Sequence, residues 1–301
     1  MPNPLLTRRD ALLAASAAAL PRPVDARPPL GLVVSVGSGQ NPDPVVRRVR
    51  ELGFDTCQIG LHDLTTENAE RLRRALAQHR VEATAIMELG PGRMVWDFYQ
   101  GPLTIGLVPR STRAARIAAL KRAADFAVSA QVSAIHTHCG FLPANPNDPE
   151  YKEAVAAIKD VASYCKARNL LFLCETGQEA PVTLLRAIED VGLDNMRVNL
   201  DTANLILYGN GNPVDALDVL GKYVSGVHAK DGLFPTDPRN LGREVAIGQG
   251  KVDFLRVFQG LKRYSYSGAI TIEREIEGPE QTKDILTSKT YLTRLLAQVY
   301  G

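Results

Sequence analysis

Four side chains of the kinds that bind divalent metals each follow a short apolar run. They are Glu175 in LFLCETG, Asp201 in RVNLDTAN, His228 in SGVHAKDG and Glu273 in AITIERE. A carboxylate at the tip of a buried segment carries a desolvation cost, which a bound cation would offset. Three carboxylates and one imidazole form a mainly oxygen site. We therefore predict one divalent metal ion, with Mn²⁺ ranked first and Mg²⁺, Co²⁺ and Zn²⁺ left open.

These four segments belong to an alternation of strand-like and helix-like patterns that repeats eight times. The first unit is LGLVVSVG followed by DPVVRRVRELG, and the last is GAITIERE followed by a helix from about Glu280. Strands separated by one helix pair in parallel, and eight such units close into a (β/α)₈ TIM barrel over residues 30–301. An open doubly wound sheet is the alternative, but VGSGQNPDP lacks the third glycine of a dinucleotide-binding turn. Barrel enzymes place their chemistry at the C-terminal ends of the strands, where the four candidate ligands fall.

Strand parity is a further test, because alternate residues of a barrel strand face the interior. If the four candidate ligands point inward, the preceding residues point outward, and these are Cys174, Leu200, Val227 and Ile272. All four are apolar, as the helix-facing surface of a barrel requires. The sequence therefore predicts that the ligands share one inner rim.

The N-terminus has a different composition from the rest of the chain. Arg8 and Arg9 precede the run ALLAASAAAL and a Pro-rich stretch. This segment resembles a twin-arginine export signal, with small residues for cleavage after Ala26. We predict that residues 1–26 are an export signal and that the protein is periplasmic. If the signal does not function, the segment is an N-terminal arm and the protein is cytoplasmic.

The charge and cysteine content restrict the class of partner. With 35 basic and 33 acidic residues, the net charge is only +2, so no electrostatic field favours nucleic acid. The four cysteines form no CxxC pair, and we expect them to be buried without forming a disulfide. We expect no membrane association after removal of the signal. A homo-oligomer is left open.

Five motifs in order resemble the xylose isomerase-like barrel superfamily, often called the sugar phosphate isomerase/epimerase family. They are CETG, NLDTAN, VHAKDG, VAIGQGKVDF and TIERE. The resemblance implies a metal-dependent isomerase or epimerase acting on a small carbohydrate. It also implies that Glu175 and Glu273 exchange a proton beside a metal-polarised carbonyl, a step that requires stabilisation of the enolate oxygen.

Five further residues are predicted to bind substrate. They are Gln58, His138, Asn204, Lys230 and Arg239. Parity turns the first two and Lys230 inward, although each also has a purely structural interpretation. Asn204 stands where ketose 3-epimerases of the family have a histidine, and Phe234 replaces an arginine, with Arg239 in the same loop.

Two more side chains have alternative interpretations. Trp96 is either a sugar platform or plain packing, and Glu179 is expected to be a loop or rim carboxylate.

Three other functions stay open at this point. A lyase that eliminates the aglycone from 3-keto-glycosides would use the same proton abstraction and would fit an exported protein. A sugar-binding barrel without turnover is the second. The third, an apurinic-site endonuclease with three zinc ions, needs many more histidines than the five present.

Overall fold

The computed structural model describes residues 27–301, and the predicted export signal lies outside them. Eight parallel strands form a closed barrel in the order β1-β10-β7-β6-β5-β4-β3-β2. Their bounds are β1 Leu30–Val36, β2 Thr56–Leu61, β3 Glu82–Met87, β4 Ala134–His138, β5 Leu171–Glu175, β6 Met196–Asp201, β7 Val224–Ala229 and β10 Ile270–Ile272. The predicted (β/α)₈ TIM barrel is confirmed.

In the described part of the chain, eight longer helices cover the outside of the barrel, and two four-residue helices, Gly101–Thr104 and Asn204–Leu207, lie at its C-terminal mouth. They are α1 Pro42–Glu51, α2 Thr66–His79, α3 Gly101–Thr104, α4 Arg110–Ala130, α5 Pro149–Lys166, α6 Pro181–Val191, α7 Asn204–Leu207, α8 Pro213–Leu220, α9 Phe254–Arg263 and α10 Pro279–Tyr300. Local sequence determines where several begin. Asn41, Thr65 and Asp148 each accept a backbone N–H of the first turn of the following helix, which satisfies donors that a helix leaves unpaired.

The strand parity is as predicted. Cys174, Leu200, Val227 and Ile272 pack in the large core between the barrel and its helices. Inside the barrel, Leu173 packs with Ala85 and Ala134 in a small separate cluster. The barrel interior therefore has little apolar packing beneath the predicted ligands.

Two irregular segments cover the C-terminal mouth of the barrel. An antiparallel hairpin, β8 (Asp231–Leu233) with β9 (Arg243–Val245), follows β7 directly. The second segment is the insert between β3 and α4, residues 88–109. Arg116 of α4 is 1% exposed and donates to the carbonyl oxygens of Thr104 and Gly106 at 2.6 and 2.8 Å. These bonds fix the insert to the barrel.

The prediction of no disulfide is wrong, because Cys139 and Cys174 are bonded. Thr137 of β4 pairs in register with Cys174 of β5, so Cys139, the residue that follows β4, has the same outward direction as Cys174. Cys57 and Cys165 are free and buried, as expected. Within residues 27–301, no helix combines the length and apolar character needed to cross a membrane.

Candidate metal centre

The four predicted ligands meet at the C-terminal mouth of the barrel. Glu175 ends β5, Asp201 ends β6, His228 lies near the end of β7, and Glu273 directly follows β10. One potential ligand atom from each lies within 4.8 Å of the others. The four residues are far apart in sequence, but they lie together because β5, β6, β7 and β10 are neighbours in the closed sheet.

Two buried atoms of this cluster are suited to a cation. The Asp201 Oδ1 accepts the backbone N–H groups of Ala203 and Asn204 at 2.8 and 2.6 Å. Its Oδ2 and the Nδ1 of His228 make no hydrogen bond, although they lie only 3.8 Å apart. Buried polar atoms without partners are costly. A divalent cation would satisfy both, so the residues fit the predicted metal.

Gln58 orients the imidazole of His228. The Gln58 Oε1 lies 2.9 Å from the His228 Nε2, while its Nε2 donates to Asn199 Oδ1 at 2.9 Å. With its amide so fixed, Gln58 accepts a hydrogen bond from the Nε2–H of His228, which leaves Nδ1 to face the metal. A Cβ at Gly226 would lie 2.3 Å from Asn199 Oδ1, so this layer needs a glycine there. Gln58 thus contacts a ligand, and the substrate contact predicted for it stays a prediction.

Glu175 is surrounded by polar partners on both oxygens. Its Oε1 accepts from Asn204 Nδ2 at 3.0 Å and lies 3.3 Å from His228 Nδ1. Its Oε2 lies 2.7 Å from His136 Nε2 and 3.2 Å from His138 Nε2. Asn204 is therefore a direct partner of a predicted ligand.

The protonation of the cluster reflects a shortage of positive charge. Burial raises the pKa of Glu175, but His138, His228 and His136 together outweigh burial and hold this pKa well below its usual range. Burial, opposed by Lys230 and reinforced by Glu273, raises the pKa of Asp201 well above its usual range. The protein alone thus does not keep all the acids ionised, and a cation at the centre would favour the ionised form of Asp201.

A cavity of about 210 Å³ opens beside the cluster. Its lining includes Glu175, Glu273, His138, Asn204, Lys230, Tyr208 and Trp96. The Trp96 ring lies edge-on to His138, with 5.0 Å between centroids, and remains 43% exposed. We call this space the metal-facing cavity. A cavity of similar volume at the opposite end of the barrel is lined by Thr56, Ser133 and Ser225 and contains none of the four ligands.

Lys230 points into the barrel mouth, as parity predicts, and is only 2% exposed. Burial lowers its pKa, but Glu273, Asp201 and Glu275 outweigh burial and raise it well above its usual value. Its Nζ lies 3.2 Å from Glu273 Oε2 and 2.5 Å from Glu275 Oε1. The ammonium charge is therefore already balanced by carboxylates.

Arg239 lies away from the metal-facing cavity. Its side chain is exposed, and its guanidinium lies 4.7 Å from the Tyr99 ring centroid. Its carbonyl oxygen accepts from the Phe98 N–H at 3.1 Å, next to a bridge between Asp97 and Asn240. Arg239 therefore helps to join the insert to the β8–β9 loop, and its binding of substrate stays a prediction.

Sequence reasoning missed two residues near the site. Gln178 is buried and connects His138 Nδ1 to the Tyr208 hydroxyl, to which it donates at 3.2 Å. Gln178 lies three residues after Glu175, beyond the end of β5, so the alternation of inward and outward strand residues could not identify it. Glu179, expected to be a loop or rim carboxylate, does lie on the loop between β5 and α6, but it is only 4% exposed, and neither of its carboxylate oxygens has a hydrogen-bond partner.

Comparisons with known proteins agree with this fold. Residues 46–294 match the family model of the xylose isomerase-like TIM barrel. A xylose isomerase domain protein from Planctomyces limnophilus is 33% identical, with a TM-score of 0.83, over 90% of this chain and 99% of that one. Two more distant structures share the fold.

A D-psicose 3-epimerase is 15% identical over 89% of this chain and 99% of its own, with a TM-score of 0.67. The 3-keto-D-glucoside 4-epimerase YcjR from E. coli is 16% identical over 88% and 98%, with a TM-score of 0.64.

Proposed function

Because the chain belongs to the xylose isomerase-like TIM barrel family, we propose that it is a metal-dependent sugar isomerase or epimerase. It would move a proton at a carbon next to a carbonyl group. One observation carries the proposal: Glu175 Oε1 and Glu273 Oε2 both lie close to His228 Nδ1, at 3.3 and 3.4 Å, and both residues line the metal-facing cavity.

The four-residue cluster would hold the metal. When bound, a divalent cation would polarise the substrate carbonyl and make the adjacent C–H more acidic. Mn²⁺ is our first choice for this mainly oxygen site. The chain's own residues then have to bind the sugar, take the proton and return it.

Glu175 and Glu273 are the proposed proton carriers. Burial raises the pKa of Glu273, but Lys230 and His228 outweigh burial and lower it below its usual range. Glu273 is therefore an ionised carboxylate that can accept a proton. In epimerisation one glutamate would take the proton from one face of the carbon, and the other, once protonated by solvent, would deliver a proton to the opposite face; in isomerisation one residue would do both.

The cavity supports an uncharged carbohydrate rather than a sugar phosphate. Lys230 is the one Lys or Arg among the described residues lining it, and this side chain already contacts Glu273 and Glu275. His138, Asn204 and Tyr208 offer hydrogen bonds, and the exposed Trp96 offers an apolar ring face to a sugar. The names of the two epimerase neighbours, both of which refer to sugars, support the same substrate class.

Solvent exchange tests this function. The Mn²⁺-loaded protein would be incubated in D₂O with ketoses and 3-keto-glycosides and followed by NMR. Deuterium incorporation with the skeleton intact is expected, whereas release of an aglycone would indicate the lyase. Glu175→Gln and Glu273→Gln should each slow exchange by roughly 10²–10⁴-fold. The exposed Glu277→Gln is the matched control, and unchanged exchange in both cavity variants would contradict the two-carboxylate mechanism.

A further inference from the structure

A second open space adjoins the metal-facing cavity on the β2 and β3 side of the mouth. This groove has a volume of about 790 Å³ and lies between residues 60–65, at the end of β2 and just after it, and residues 87–94, at the end of β3 and the start of the insert. Met87 and Leu89 line both spaces. The groove and the metal-facing cavity therefore meet at these two side chains.

The groove has the chemistry of a site for an uncharged ring. Its apolar wall includes Leu61, Leu64 and Met94. Its charged lining residues are Asp63, Glu88 and Arg122. Glu88 interacts electrostatically with Arg122 and His62, and Asp63 accepts from the Ser38 hydroxyl and the Gly39 N–H, so both acids have partners within the protein. Apolar walls with a few polar groups are typical of sites for small neutral ligands, and methionine side chains adapt to varied shapes.

The volumes indicate a ligand longer than one ring. The metal-facing cavity, at 210 Å³, is below the ≈ 300–1,000 Å³ of common small-molecule sites. The groove alone falls within that range. We propose that the groove binds the second, uncharged ring of a glycoside whose first ring lies in the metal-facing cavity. This inference rests on the proposed function for the identity of the first ring.

Gly60 gives direct access to the junction of the two spaces. It pairs in register with Ser35 of β1 and Met87 of β3. A Cβ at this position would meet Ser35 Oγ at 3.6 Å and the Met87 carbonyl oxygen at 3.8 Å, which are ordinary contacts. Alanine therefore fits, while a leucine side chain would extend into the passage at Met87.

Calorimetric binding tests the groove without requiring turnover. The metal-loaded protein would be titrated with methyl β-D-glucoside, phenyl β-D-glucoside and cellobiose. We expect one or both two-ring ligands to bind at least tenfold more tightly than the methyl glucoside. Tighter binding of the phenyl glucoside would indicate an aromatic second ring, and tighter binding of cellobiose would indicate a sugar. Gly60→Leu should remove this gain and leave methyl glucoside binding within about twofold, while Gly60→Ala should retain it.

A second variant covers the case in which Gly60→Leu does not fold. Met94→Glu places a charge on the groove wall and should also remove the gain. Equal affinity for all three ligands, or no binding by any, would overturn the inference. The two proposals fail separately: tighter two-ring binding without deuterium exchange contradicts only the proposed chemistry, while exchange with equal affinities contradicts only the groove.

Discussion

At the scale of single residues, the centre depends on side chains that would not touch the metal. Gln58 determines which nitrogen of His228 faces the cluster, through a 2.9 Å contact across 170 positions of sequence. Asn204 joins two functional groups, because its amide donates to Glu175 and its Oδ1 accepts from Lys230 at 3.4 Å. Conserving the ligands alone would therefore not conserve the site.

Replacing Gln58 with leucine should weaken metal binding. The variant loses the acceptor for the His228 Nε2–H, and loss of such a partner typically reduces metal affinity by about 10–100-fold. Titration of the metal-free protein with Mn²⁺, followed by calorimetry, measures the effect. Gln259→Leu, on the exposed face of α9, is the control. Equal affinities in the two variants would show that Gln58 does not orient the ligand.

The sequence predicts residue types and parity better than it predicts contacts. The inward direction of Gln58 follows from its position in β2, but its partner follows from the barrel closure that brings β2 opposite β7. The same holds for Asn204, which the motif NLDTAN identifies but whose amide partners lie on β5 and beyond β7. Such contacts depend on the three-dimensional arrangement of the strands.

At the scale of elements, strand ends and helix starts were predictable because each follows local rules. The β8–β9 hairpin was not predictable from such rules. Its first strand begins two residues after the end of β7, so in the sequence it is not separated from that strand. The Cys139–Cys174 disulfide also depends on the register between β4 and β5. A disulfide is typical of proteins in oxidising compartments, and the predicted export stays a prediction.

The loop between β5 and α6 contains a buried acid that should make stability depend on pH. Burial raises the pKa of Glu179 to about 8 from 4.5. The folded state then keeps a proton that the unfolded state releases, so this contribution is fully present below pH 4.5 and is lost as the pH rises towards 8. Glu179→Gln should remove the loss, which is at most about 1.4 kcal/mol per pH unit in that window.

Thermal denaturation at pH 5 and pH 8 measures this dependence. The Glu179→Gln variant should gain melting temperature over the unmodified protein at pH 8 and gain much less at pH 5. Glu189→Gln, an exposed position on α6, should change little at either pH. An equal gain at both values would mean that Glu179 is not held protonated in the fold.

At the scale of the whole molecule, metal binding should stabilise the barrel. The four ligands come from four strands, so the site exists only when the barrel is closed, and binding favours the folded state. With the ion at 100 times its dissociation constant, the free energy of unfolding should rise by ~2.7 kcal/mol, a shift of roughly 5–10 °C in Tm. Scanning calorimetry before and after EDTA, with Mn²⁺, Mg²⁺, Co²⁺ and Zn²⁺ added back in turn, ranks the ions.

An Asp201→Asn variant provides the control for that experiment. Asp201 Oδ2 is one of the two unpartnered buried atoms of the cluster, and its loss should reduce the response to EDTA and to added ions. If the unmodified protein shows the same Tm with and without every ion, the cluster does not bind metal in the folded state.

The ligands and the groove come from different parts of the chain. All four predicted ligands lie after residue 174, whereas the groove is lined by residues of β1, β2, β3, the insert and α4, all between residues 35 and 122. The groove segments could therefore change while the proposed proton carriers, Glu175 and Glu273, stay in place. A combinatorial library restricted to residues 60–65 and 88–94 would be the economical way to retarget the groove without changing His138, Asn204 or Lys230 in the metal-facing cavity.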